Sequence, residues 1–193
     1  MTEAALQARL VELVRGDAAL MQVLRTLHVL DLPDWCVFSG AVYQCVWNGV
    51  SGRAPGYGIR DYDVGYFDAS DIGWDAEDRV IRRVASAFDE PLKSAVEVRN
   101  QARVHLWFED HFGEPYAPLS STGEALSRFV APAFAVGVRL GPNDGISVTA
   151  PFGLQDVFAM RLRPNPTRPR ARGWQKAVDS ARARWPEVIV EDA

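Results

Sequence analysis

The stretch from Trp35 to Asp68 constrains this chain most. Trp35 to Phe38 is a short apolar run suited to a buried strand, Ser39-Gly40 interrupts it, and Val42, Cys45, Val46 and Gly49 then recur at the spacing of a helix. Residues 51–58 (SGRAPGYG) are loop by composition, and a second strand candidate runs from Ile59 to Asp68. The order strand, tight turn, helix, loop, strand mixes α and β within one unit. At 193 residues the chain suits a single domain, since domains run to about 100–200 residues.

Asp61 and Asp63 fall in that second strand. Positions two apart on a strand share a face, so both carboxylates project toward one point, as hard oxygen donors for a divalent cation such as Mg2+ or Mn2+. Two acids so placed repel each other unless a metal or a proton lies between them. A D-x-D triplet alone is equally explained by Asp61 capping a turn and Asp63 facing water. Ser39-Gly40 has a similar ambiguity. Free N–H groups at a helix start favour a phosphate, and a small residue lets it approach, yet a tight turn needs a glycine anyway. The two features in succession are more specific than either.

Further along, residues 1–30 read as a helical hairpin broken at Gly16-Asp17, and a helix is expected from about Asp75, with Val80, Ile81, Val84 and Phe88 on one face. Glu97 to Phe108 alternates, with Glu97, Arg99, Gln101, Arg103 and His105 on one face of a long strand that needs a bulge near Asn100. A short helix capped by Ser121 or Thr122, a hairpin around GPNDG, a short helix near Val157, and a basic helix from about Arg172 to Trp185 complete the chain.

Residues Trp35 to Asn165, through FSGAVYQCVWN, IRDYDVGYFD, VRNQARVHLWF, APFGLQDVF and RPN, resemble a bacterial nucleotidyltransferase-like family of the DNA polymerase beta superfamily. The resemblance implies an α+β fold: a nucleotidyltransferase-like core (35–165) with a mixed β-sheet flanked by helices, joined in one domain to the N-terminal hairpin and a basic C-terminal helix and tail (166–193). It implies transfer of a nucleoside monophosphate from a nucleoside triphosphate to an acceptor hydroxyl, with a magnesium or manganese ion on Asp61 and Asp63 and the triphosphate on Ser39 and Gly40. The acceptor, whether small molecule, RNA end or protein, is left open. Ser39 stands where the family turn usually has its first glycine, and the interval from Gly40 to Asp61 is longer than usual.

The resemblance also implies a third carboxylate on the next strand. In VEVRNQARVHLWF the centre of a hydrophobic-X-hydrophobic triplet is His105, and Glu97 is the one carboxylate on the same alternating face. Three readings stand: His105 acts as ligand or base, Glu97 does, or the second metal site is missing and the chain is a nucleotide-binding or protein-partner module. A metal-dependent nuclease is a weaker reading without a further acid cluster. Arg99 and Arg103, on the same expected face, suit phosphate charge or a solvated surface equally; Asn100 and Gln101 suit a base edge or a bulge. Arg163, with Arg161 beside it, suits a phosphate or a helix C-terminus.

The formal net charge of −4 does not suggest a whole-surface polyanion binder. It conceals an asymmetry, with eight basic residues against one acid from Arg161 to Arg184. The cluster of Arg168, Arg170, Arg172, Lys176, Arg182 and Arg184 suits an acidic partner such as RNA, or a solvated helix face. Cys36 and Cys45 give no disulfide framework, and neither a secretion signal nor a membrane span is expected, so a soluble cytoplasmic protein is anticipated.

Overall fold

The computed structural model describes residues 1–168 and 171–191. Helices α1 (Glu3–Gly16) and α2 (Ala18–Leu30) form the expected hairpin, and one residue makes its corner. Asp17 ends α1 and caps α2, its Oδ1 accepting the Leu20 N–H at 3.0 Å. Strand β1 (Cys36–Phe38) runs through Ser39 into α3 (Gly40–Ser51), buried from Gly40 through Asn48. Strand β2 (Tyr62–Tyr66), α4 (Trp74–Ala85), the short α5 (Leu92–Ala95) and β3 (Val96–Asn100) follow. Then come a 3-10 helix (Gln101–Leu106), α6 (Phe108–Phe112), α7 (Thr122–Leu126) and the hairpin β4 (Gly137–Leu140) and β5 (Ile146–Thr149). The chain finishes with α8 (Gln155–Phe158), β6 (Arg161–Leu162), α9 (Trp174–Arg184) and β7 (Ile189–Val190).

Five strands make a mixed sheet in the order β3-β2-β1-β4-β5, with β2 and β3 parallel and the other pairs antiparallel. Val37, Val64, Val98 and Val138 stand in one cross-strand row and belong to the main core with side chains of α1 to α4. Phe38, Asp63 and Glu97 form the adjacent row, so alternation turns them to the other face. There Phe38 joins only a small cluster with Cys36, Leu126 and Ala135, and this face is left partly open.

The C-terminal helix is bound into the fold. Trp185 is fully buried against Trp47, and its Nε1 donates to Asn48 Oδ1 at 3.1 Å. β7 also pairs in parallel with β6. Between α3 and Asp61 runs a loop that passes beneath this helix, where Gly58, at φ 72°, lies against the Trp185 ring. Both cysteines are buried free thiols.

The long strand expected from Glu97 to Phe108 is corrected: β3 ends at Asn100 and a 3-10 helix begins. Asn100 causes the break. Its Oδ1 accepts the N–H groups of Ala102 and Asp68, each at 3.1 Å, and its own N–H donates to buried Glu77 Oε1 at 2.7 Å, so the ladder has no further donors to use. Arg103 and His105 therefore leave the strand face carrying Glu97 and Arg99.

Candidate active site

At the end of β1 the backbone turns through Ser39 at φ 56°, ψ −123°, a conformation few non-glycine residues adopt. The Ser39 N–H donates to the Val136 carbonyl, and its carbonyl accepts from Val42 and Tyr43, all at 3.0 Å. The N–H groups of Gly40 and Ala41 find no acceptor among the described residues. A Cβ on Gly40 would come within 3.2 Å of Gln44 Nε2 and 3.6 Å of Asp61 Oδ1, so the turn is tight and Asp61 stands over it.

Asp63 lies between two partners. In the β1 register it faces Phe38, the residue before the turn, and in the parallel β3 register it faces Glu97. Burial first, and then the negative charges of Asp61 and Glu97, push the Asp63 carboxyl up to about 7; Arg99 offsets only part of this. Of the three sequence readings for the third acid, this geometry brings Glu97 to the pair. Among the described residues, three His, Cys, Asp or Glu side chains nowhere close into a metal-holding cluster. The site is thus a set of neighbouring oxygen donors with excess negative charge, short of a preformed cage.

Ser39, Asp63, Glu97 and Arg99 all open onto one cavity of about 390 Å³. The other sequence candidates are placed elsewhere. Arg103 is in a buried ion pair with Glu77, with Trp74 beneath its guanidinium at 5.5 Å, because the 3-10 turn swings it toward α4. His105 is half-buried on that turn, outside the cavity lining, and its Nδ1 has no hydrogen-bond partner among the described residues. Arg163 Nε donates to Asp156 Oδ2 at 2.7 Å, while Arg161 lies between Asp156 and Glu191. Gln101 lines the cavity, and its Nε2 donates to the Arg99 carbonyl at 3.2 Å. Of the basic cluster, Arg184 turns inward to Gln44 and the Gly58 carbonyl, Arg170 lies outside the described residues, and Arg168 and Arg172 reach the cavity.

Sequence reasoning missed the far wall, where Trp107, Phe108, Phe112 and Tyr116 meet Arg128, Arg168 and Arg172. The aromatic run WFEDHF was its visible signal, left half-exposed on the five-residue helix α6. Arg128 pairs with Glu124 at 2.7 Å, a carboxyl held down to about 2 by the Ser120 hydroxyl and N–H and then by Arg128. Arg168 pairs with Glu114 at 2.6 Å.

Beneath the site lies one fold, a mixed five-stranded sheet flanked by helices. An NMR structure described as revealing a CCA-adding enzyme head domain shares it, with a TM-score of 0.76 over 95% of each chain at 22% identity, a likeness of fold. Residues 25–190 match the nucleotidyltransferase family, and the chain belongs to it. No curated protein matches it in sequence. Among the described residues no helix is long and apolar enough to cross a membrane.

Proposed function

We propose that this protein transfers a nucleoside monophosphate from a nucleoside triphosphate to an acceptor hydroxyl, with magnesium or manganese held by Asp61 and Asp63. The observation that carries this reading is the Asp63–Glu97 register beside Asp61, which leaves Asp63 with a carboxyl raised to about 7. Such a site favours either a proton or a cation, and its donors are the oxygens that hard divalent ions prefer. Magnesium characteristically binds through one or two carboxylates plus substrate phosphates, so the lack of a closed protein cage fits it. Bound there, the ion would neutralise charge on the triphosphate oxygens.

The protein's own groups divide the remaining work. The free N–H groups of Gly40 and Ala41 receive the triphosphate, and the backbone at Gly40 allows its close approach. Arg99, facing the same cavity, counters phosphate charge as it accumulates. Glu97, exposed to the cavity beside Asp63, accepts the proton of the acceptor hydroxyl as its oxygen bonds to the α-phosphorus. The bond to the bridging oxygen breaks, and pyrophosphate leaves on the turn side.

The test is pyrophosphate release with each nucleoside triphosphate, magnesium, and a panel of hydroxyl acceptors. Glu97→Gln is expected to lower turnover by about 10²–10⁴-fold while nucleotide still binds. His105→Ala is expected to keep wild-type turnover. Nucleotide binding without pyrophosphate release from any acceptor would turn the reading to a nucleotide-binding module.

A further inference from the structure

The aromatic and arginine wall shares its cavity with Asp63 and Glu97 and carries a network of ring and guanidinium contacts of its own. The Phe108 and Tyr116 rings lie 4.2 Å apart, with Arg168 over Phe108 at 5.7 Å and Arg128 over Tyr116 at 5.2 Å. The wall is fixed from behind by fully buried Asn165, whose Nδ2 donates to the carbonyls of Ser127 at 2.8 Å and Phe129 at 2.6 Å. Arg168 also donates to the Arg128 carbonyl.

Arg172 differs from the other two arginines. Its backbone N–H donates to Glu114 Oε1 at 2.5 Å, but among the described residues its guanidinium has no carboxylate within ion-pair distance. Gly113, at φ 68°, makes its place, since a Cβ there would collide with that guanidinium. Three guanidiniums against the carboxylates of Glu114 and Glu124 leave one positive charge beside tilted, closely packed rings. Such an arrangement suits one anion attached to a planar group.

We propose that this wall is the acceptor subsite, and that the acceptor is a small molecule carrying a planar ring and a phosphate or carboxylate. The assignment rests on the transfer reading above. Glu97 and the wall line the same cavity, so a molecule seated on the wall brings its hydroxyl to the carboxylate assigned to take its proton. The ring lies against Phe112 and Tyr116, and its anion meets Arg172. A nucleic-acid strand would instead need a basic groove tracking several phosphates, whereas here the arginines crowd one wall of a cavity of about 390 Å³ and two of them are already paired.

Calorimetry on the full chain tests this with phenyl phosphate and benzoate, which separate the two anion chemistries, and with magnesium plus each ribonucleoside triphosphate. At least one ring-bearing anion is expected to bind wild type and Asp61→Asn/Asp63→Asn alike. Arg172→Gln should weaken it tenfold or more, with nucleotide affinity within twofold of wild type. Phe112→Leu, at a half-exposed position, should also weaken it and serves if Arg172→Gln folds poorly. Three results overturn the proposal: neither anion binds wild type, Arg172→Gln weakens nucleotide as much as anion, or a single-stranded RNA oligonucleotide competes with the anion at Arg172. Equal nucleotide affinity in wild type and the double Asp variant would instead sink the transfer reading, so the two failures are distinguishable.

Discussion

Asp63 carries the largest electrostatic penalty around the acids. Its carboxyl is raised from the ordinary carboxylate range to about 7, so its contribution to stability is fully present below the unfolded value near 4 and is lost as pH rises through about 7. Metal-free protein should therefore lose stability across pH 4–7. Asp63→Asn should raise the thermal midpoint at pH 8 by several degrees, a gain of at least roughly 1 kcal/mol in a chain of this size, and by much less at pH 5. Calorimetric melting at the two pH values measures it. Ser39 offers a second test, because glycine adopts φ 56°, ψ −123° without strain. Ser39→Gly should stabilise by up to about 1 kcal/mol in urea denaturation, relief of strain being partly offset by a more flexible unfolded chain. Both residues were legible in the sequence, since Asp63 falls within the expected strand, with Asp61 one residue before β2, and the turn follows the strand-to-helix change. The strained geometry at Ser39 was not, because it is set by the Val136 carbonyl, 97 residues away.

At the level of elements, β3 shows where periodicity misleads. Alternation continues to Phe108, but Asn100 ends the strand through bonds to Asp68, Ala102 and Glu77. Two of these bonds reach across 23 and 32 residues and leave no local pattern to read. This is why His105 was a candidate for the third carboxylate's position and Glu97, the centre of Val96-Glu97-Val98, was only an alternative. The same network contains the buried Glu77–Arg103 pair, whose side chains are 2% and 11% exposed. Glu77→Leu alone strands Arg103 and should cost about 3–5 kcal/mol. Adding Arg103→Met should recover much of that loss, measured by urea denaturation of the single and double variants.

Across the whole molecule, the modest net charge hides two opposed sites in one cavity, acids on the sheet and arginines on the far wall. The basic C-terminal stretch, read from sequence as a helix and tail, divides its charges. Arg168 and Arg172 face the cavity, and Arg184 braces α9 against α3 beside Trp185. Sequence cannot separate these roles, because they depend on what the segment before α9 and the docked helix each meet in the fold. Trp185→Ala should destabilise by about 3–5 kcal/mol in urea, as expected for a large aromatic side chain lost from a full core. The assignment of the acids is tested most directly by calorimetric titration of each magnesium–nucleoside triphosphate into wild type and Asp61→Asn/Asp63→Asn. The acid site predicts magnesium-dependent binding in wild type and its loss in the folded double variant. Equal affinity in both proteins would contradict it.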